Sequence, residues 1–201
     1  MSLLYLFPII IFIFSVIIHE VAHGYAAYLQ GDNTAKYAGR LTLNPWPHVD
    51  IFGSILLPLV LIISGSPMVI GWAKPVPFNP YNLRNQRWGE ALVAAAGPLS
   101  NIVIAAVFGL FLRFGLFTSL SDPFIYIVFI NLVLAVFNLV PIPPLDGSKI
   151  LFSILPYSLR HVRDFLEKHG LILLIIFIFF LWDQVFPLVS IFFSLITGIS
   201  F

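Results

Sequence analysis

No cysteine occurs in the 201 residues. Disulfides and thiolate metal sites are therefore excluded, and any metal must be held by His, Asp or Glu. Charge is also scarce: 9% of the chain against about 25% in a soluble globular domain, while 60% is hydrophobic. A well-packed soluble core does not account for so large a deficit. The formal net charge of +1 offers no footprint for nucleic acid. Internal repeats and low-complexity linkers are absent, and no soluble-looking tract exceeds about twenty residues, so the length reads as one domain. The first apolar run, Leu3 to Ile18, lacks a basic segment before it and a small-residue cleavage site after it. It reads as a retained helix, not a secretory signal.

What is present is a series of apolar runs close to the roughly 20 residues that cross hydrocarbon as a helix. The pattern predicts an all-α polytopic membrane protein with small membrane-associated β elements. The first helix runs from about Leu3 to Leu29 and stops at Gly31-Asp32. Gly39 to Pro45 reads as strand and turn. Residues 52–63 form a short apolar run interrupted by Pro58. Gly71 to Pro80 carries alternate prolines, which forbid a helix and suit an extended edge segment. Long helices follow over about Trp88–Phe117 and Phe124–Val140, the latter broken at Pro141, Pro143 and Pro144. Residues 147–169 form the longest polar connection, and Leu171–Phe201 supplies one or two further spans.

The basic residues orient this path. With the amino terminus outside and 52–63 re-entrant, nine of the ten Lys and Arg residues face the cytoplasm, and Arg113 alone lies outside. A full crossing by 52–63 would place the basic 149–168 loop outside instead. The re-entrant path is preferred.

His19-Glu20-Val21-Ala22-His23 is H-E-x-x-H. Residues four apart share a helix face, so His19 and His23 can clamp one zinc ion, with Glu20 one step round as general base. Counted from Leu3 at about 1.5 Å per residue, His19 lies roughly 24 Å along a hydrocarbon slab of about 30 Å. Ionisable groups are expensive there and mark function.

A third ligand is required, with a position left for water. Asp32, His48, Asp50, Asp122, Asp146 and Asp183 are the candidates. Asp32 reads as a helix stop. Asp122 and Asp183 are expected at the opposite membrane face. Asp146 follows a helix that returns to the cytoplasmic side, and Pro143, Pro144 and Gly147 unwind the backbone around it.

Asn138-Leu139-Val140-Pro141-Ile142-Pro143-Pro144-Leu145-Asp146-Gly147 resembles the N-x-x-P-x-x-x-x-D-G signature of the site-2 proteases. Ala96-Gly97-Pro98-Leu99-Ser100-Asn101 resembles that family's A-G-P-x-x-N helix. The likeness covers roughly residues 15–155, with the motifs in family order. It implies a core of three catalytic transmembrane helices over about 3–155 within a single domain, 1–201, and extra spans over about 170–201. It further implies His19, His23 and Asp146 as ligands of one zinc ion per chain and Glu20 as catalytic base. Asn138 and Asn101 match motif asparagines whose amides could stabilise an oxyanion. The implied activity is intramembrane cleavage of a membrane-embedded protein or peptide, with the active site towards the cytoplasmic side of the cell membrane. The chain resembles a minimal form without a PDZ or other soluble insert. Regulation would then act through the bilayer, the short loops or a membrane partner. The competing reading is a catalytically inactive or metal-handling protein on the same scaffold, which would not need Glu20 beside two ligand histidines.

Overall fold

The computed structural model describes residues 6–65 and 71–200. Helices α1 (Leu6–Leu29), α4 (Gly89–Arg113) and α5 (Ser121–Asn138) form the central bundle, and α8 (Trp182–Thr197) packs on α4 and α5. Short helices α2 (Thr34–Tyr37), α3 (Leu57–Ile63) and α6 (Asp146–Ile154) fill the connections, and α7 (Arg160–Ile176) leads into α8. Four helical segments are long and apolar enough to cross a membrane. The expected start of α1 at Leu3 lies outside the described residues.

The central place of α4 follows from its small residues. Ala91, Ala94, Gly97, Asn101, Ala105 and Gly109 recur three or four apart and are all buried. In lipid, where apolar burial does not drive helices together, small side chains let backbones approach and dispersion hold them. Leu92, Leu99, Val103, Val107 and Leu110 on the other face are exposed, as lipid contact requires. Gln30 Nε2 donates to the Gly89 carbonyl at one end, while Asn101 meets Ser15 further along, so α1 and α4 run antiparallel. Away from that first end, Ala105, Val128, Leu132, Val189 and Phe193 form an apolar cluster that locks α8 to the bundle.

Residues 51–63 are helical, a π turn over Ile51–Leu56 followed by α3. The chain then returns to where it left. Trp72 N–H donates to the Gly53 carbonyl at 3.2 Å, and Ser54 Oγ donates to the Trp72 carbonyl at 2.8 Å. Both ends of the excursion therefore lie on one side, as the re-entrant reading requires. Residues 66–70 lie outside the described residues.

Two expectations are corrected, the small β elements and the place of Asp183. No strand forms among the described residues. At 39–45 the backbone is satisfied locally, with Asn44 N–H on Thr42 Oγ1 and Trp46 N–H on Asn44 Oδ1. At 71–79 the chain is extended, but Pro75 and Pro77 lack donors on one edge, and on the other the Lys74 and Val76 N–H groups go to the His48 carbonyl and Glu20 Oε2, so no ladder of successive bonds forms. The polar connection after Asp146 contains α6, packed against α4. Asp183 lies at the same end of the bundle as Asn138, because Trp182 packs on Phe137. From there α8 crosses once, ending with Ile196 and Thr197 against Gly109. Arg160–Thr197 is one helical run with no reversing turn.

Candidate metal centre

His19 and His23 lie one turn apart on α1, and Asp146 opens α6. The helix α5 ends at Asn138, and the proline-rich turn after it folds back under α4. Gly147 makes that turn possible, since a Cβ there would collide with the Leu139 and Val140 carbonyls. Asp146 Oδ2 then lies 3.0 Å from His19 Nε2 and 3.2 Å from His23 Nε2. Ligand atoms from all three fall within 4.8 Å of one another, and all three residues are buried.

Both imidazoles are held from behind. His23 Nδ1–H donates to the Val93 carbonyl at 2.7 Å, and His19 Nδ1 meets Asn101 Oδ1 at 2.6 Å. With Nδ1 engaged on each ring, the Nε2 lone pairs are the ones presented to Asp146. Two imidazoles and one carboxylate, backed by hydrogen-bond acceptors, form the donor set that suits zinc. The residues present fit such an ion.

Gly97 matters for the same reason. A Cβ at this position would lie 2.5 Å from His19 Nε2, His23 Nε2 and His23 Cε1. Only glycine lets α4 pass this close to the rings. The sequence marks Gly97 within a motif but gives no hint of this contact.

Glu20 faces the same cavity, of about 170 Å3, which His19, His23, Val76, Asn138 and Asp146 also line. Its Oε2 accepts the Val76 N–H at 2.8 Å. The segment that carries Val76 is also held by Arg40, a buried residue missed in the sequence. Its guanidinium donates to the carbonyls of Pro47, Lys74 and Pro75. Lys74 N–H donates in turn to the His48 carbonyl. Arg40 thereby ties the 40–48 loop to the extended segment and sets the height at which Val76 crosses the cavity.

The remaining candidates are distributed as follows. Asn138 lines the cavity, and its Nδ2 donates to the Leu134 carbonyl at 3.0 Å. Asn101 is wholly buried behind His19 and touches the ring's far nitrogen, so it positions His19 and does not face the cavity. His48 is buried, with Nε2 against the Thr42 carbonyl. Asp50 caps the π turn through Gly53 N–H. Asp122 sits in the first turn of α5, at the end of that helix away from Asn138. Asp32 stands apart from the cluster, accepting from Thr34 N–H and Oγ1, Asn79 N–H and Asn82 Nδ2. Burial pushes the Asp32 carboxyl up, but the hydrogen bonds from Thr34, Asn82 and Asn79 outweigh it and hold the group below its ordinary value.

Residues 115–181, which include Asn138 and Asp146, match the model of Peptidase family M50. YwhC of Bacillus subtilis is 38% identical over 178 residues, covering 84% of this chain and 78% of YwhC. MJ0611 of Methanocaldococcus jannaschii is 33% identical over 153 residues, 72% of each chain. Rip2 of Mycolicibacterium smegmatis is 30% identical over 141 residues, 66% of this chain and 51% of Rip2. All three carry the provisional name zinc metalloprotease. No solved structure matches the chain. An M50 match across the Asp146 turn, and 38% identity over most of both chains, lead to one conclusion: this protein belongs to peptidase family M50, the site-2 proteases.

Proposed function

We propose that this protein is an intramembrane zinc endopeptidase that hydrolyses peptide bonds of transmembrane segments, with the site towards the cytoplasmic face. His19, His23 and Asp146 would hold one zinc ion per chain. When bound, zinc supplies Lewis-acid polarisation and makes water acidic enough to ionise near neutrality. The chain's own residues do the rest. Glu20 accepts a proton from the attacking water and returns it to the leaving amide nitrogen as the C–N bond breaks. The Val76 N–H on Oε2 fixes the carboxylate's direction. Asn101 and the Val93 carbonyl keep the two rings aimed at Asp146. Asn138, on the cavity wall, is placed for an oxyanion role. The residues around the site, about 3–155, serve as the catalytic core of a single domain.

The observation that carries this reading is the meeting of three ligand atoms within 4.8 Å, on a cavity that Glu20 shares, inside a bundle of membrane-length helices. A soluble substrate would not call for a site at that depth, so the substrate is a membrane-embedded protein or peptide. The test is Glu20→Gln. It should retain zinc, because no ligand is altered, and lose at least about 100-fold in cleavage, because the proton carrier is gone. His23→Ala should lose both. Cleavage by Glu20→Gln at the wild-type rate would refute the assignment.

A further inference from the structure

Behind the ligand atoms lies a chain of buried polar groups linking α1, α4 and α5. Asn131 and Asn101 are wholly buried, and Ser15 sits one turn before His19. Asn131 Nδ2 donates to the Ile127 carbonyl at 2.8 Å and to Ser15 Oγ at 2.9 Å. Its Oδ1 accepts from Asn101 Nδ2 at 2.7 Å, and the same Nδ2 reaches the Ser15 carbonyl at 3.3 Å. Asn101 Oδ1 completes the chain at His19 Nδ1.

This chain has a direction. Backbone carbonyls only accept, so Ile127 and Ser15 require the NH2 end of each asparagine to face them. The oxygen of Asn101 is then left for His19, whose Nδ1 must carry a proton, which leaves Nε2 as the atom that faces Asp146 and would bind the ion. Turned about, the Asn101 amide would present NH2 to Nδ1, move the ring proton to Nε2 and spoil the ligand atom. An amide's two ends are nearly alike in shape, so shape does not prevent that turn. Its partners do, in a lipid-buried site with no bulk water to compensate a mismatch. His23 needs no such relay, since the Val93 carbonyl that accepts from it cannot invert.

We propose that Asn131, supported by Ser15, is a positioning residue: it fixes the orientation of the Asn101 amide and so the Nδ1–H tautomer of His19. The Nδ1 proton follows from the contact with Asn101 Oδ1, and its use rests on His19 being a zinc ligand.

The decisive test exploits the symmetry of a carboxylate, which accepts through either oxygen and needs no orientation. Asn131→Ala should weaken zinc binding, measured by chelator competition, by about 10- to 100-fold in the Asn101 protein. In the Asn101→Asp background the same change should have little effect. Equal losses in both backgrounds would reduce Asn131 to packing and overturn the proposal. Should Asn101→Asp not fold, metal-free protein with 15N-labelled histidine decides the matter. The chain has five histidines, few enough for His19 to be assigned through a His19→Gln variant. Wild-type His19 should carry a proton on Nδ1, facing Asn101 Oδ1. Asn131→Ala should shift part of it to Nε2 while His23 stays unchanged. A wild-type Nδ1 without the proton, or a tautomer that Asn131→Ala does not move, would overturn the inference. Wild-type protein that binds no zinc would sink the proposed function and leave the tautomer measurement to judge this one.

Discussion

Gly97→Ala adds one methyl group where α4 passes the two imidazoles. The new Cβ would stand 2.5 Å from both Nε2 atoms, whereas ordinary contact begins at 3.4 Å. Relief requires the rings or the helix to retreat by about 0.9 Å, several times the roughly 0.2 Å tolerance of metal–ligand distances. Zinc affinity should fall by at least about 10- to 100-fold, and cleavage with it. The fold should suffer less. Overpacking costs about 1–3 kcal/mol, and alanine recovers up to about 1 kcal/mol as the better helix former. Gly109→Ala is the control. It makes the same change on the same helix, but its Cβ meets the Ile196 side chain, far from the ligands. Each variant would be purified in detergent and its zinc content, cleavage rate and thermal midpoint measured. Gly109→Ala should lose stability and keep zinc, whereas Gly97→Ala should lose zinc beyond any loss of stability. Fully loaded, fully active Gly97→Ala would refute the account of why glycine stands there.

Three further outcomes are expected. Asp146→Ala should purify without zinc, whereas Asp32→Ala should keep it; the reverse would exchange their roles. Because the folded Asp32 carboxyl lies below its ordinary value, it stabilises the protein above the unfolded value of about 3.9. That contribution should vanish as pH falls through the folded value, so the thermal midpoint of Asp32→Asn should vary less with acidification than wild type. In this cysteine-free chain, single cysteines at Lys36, Lys74, Arg84 and Arg160 should all resist a membrane-impermeant reagent in intact cells. Labelling at 74 and 84 but not 36 would contradict the re-entrant path.

Local signals in the sequence survived into the structure. His19 and His23 share a face because four residues is about one helical turn, and prolines 141, 143 and 144 end α5 so that Asp146 can turn back. The re-entrant path was legible from the shortness of the 52–63 run. What was not legible depends on partners far along the chain. Val76 N–H reaches Glu20 across 56 residues, next to the Lys74 and Pro75 carbonyls that Arg40 holds. The strands expected at 39–45 and 71–80 fail because Thr42 and Asn44 satisfy their own turn, while Lys74 and Val76 donate to the His48 carbonyl and Glu20 and not along a partner strand. Asp183 was placed at the wrong end because hydropathy does not say where α7 stops and the crossing by α8 begins. Asn131 lies in an apolar run as an isolated polar residue, and nothing local ties it to His19. Gly97 is marked by its motif, but its contact with the two imidazoles depends on α1, more than 70 residues away.

The central claim is that hydrolysis takes place within the bilayer. His19 and His23 lie about 15 and 9 Å from the Leu29 end of α1 at about 1.5 Å per residue. An unwound substrate strand covers about 3.3 Å per residue. A single-span peptide reconstituted with the protein in liposomes should therefore be cut within about five residues inside its hydrophobic boundary on the site side. Mass spectrometry of the products locates the bond, with a zinc chelator as control. Cleavage at that depth, abolished by the chelator and restored by zinc, is the predicted result. Cuts confined to the polar flanks, or cleavage indifferent to the chelator, would contradict it.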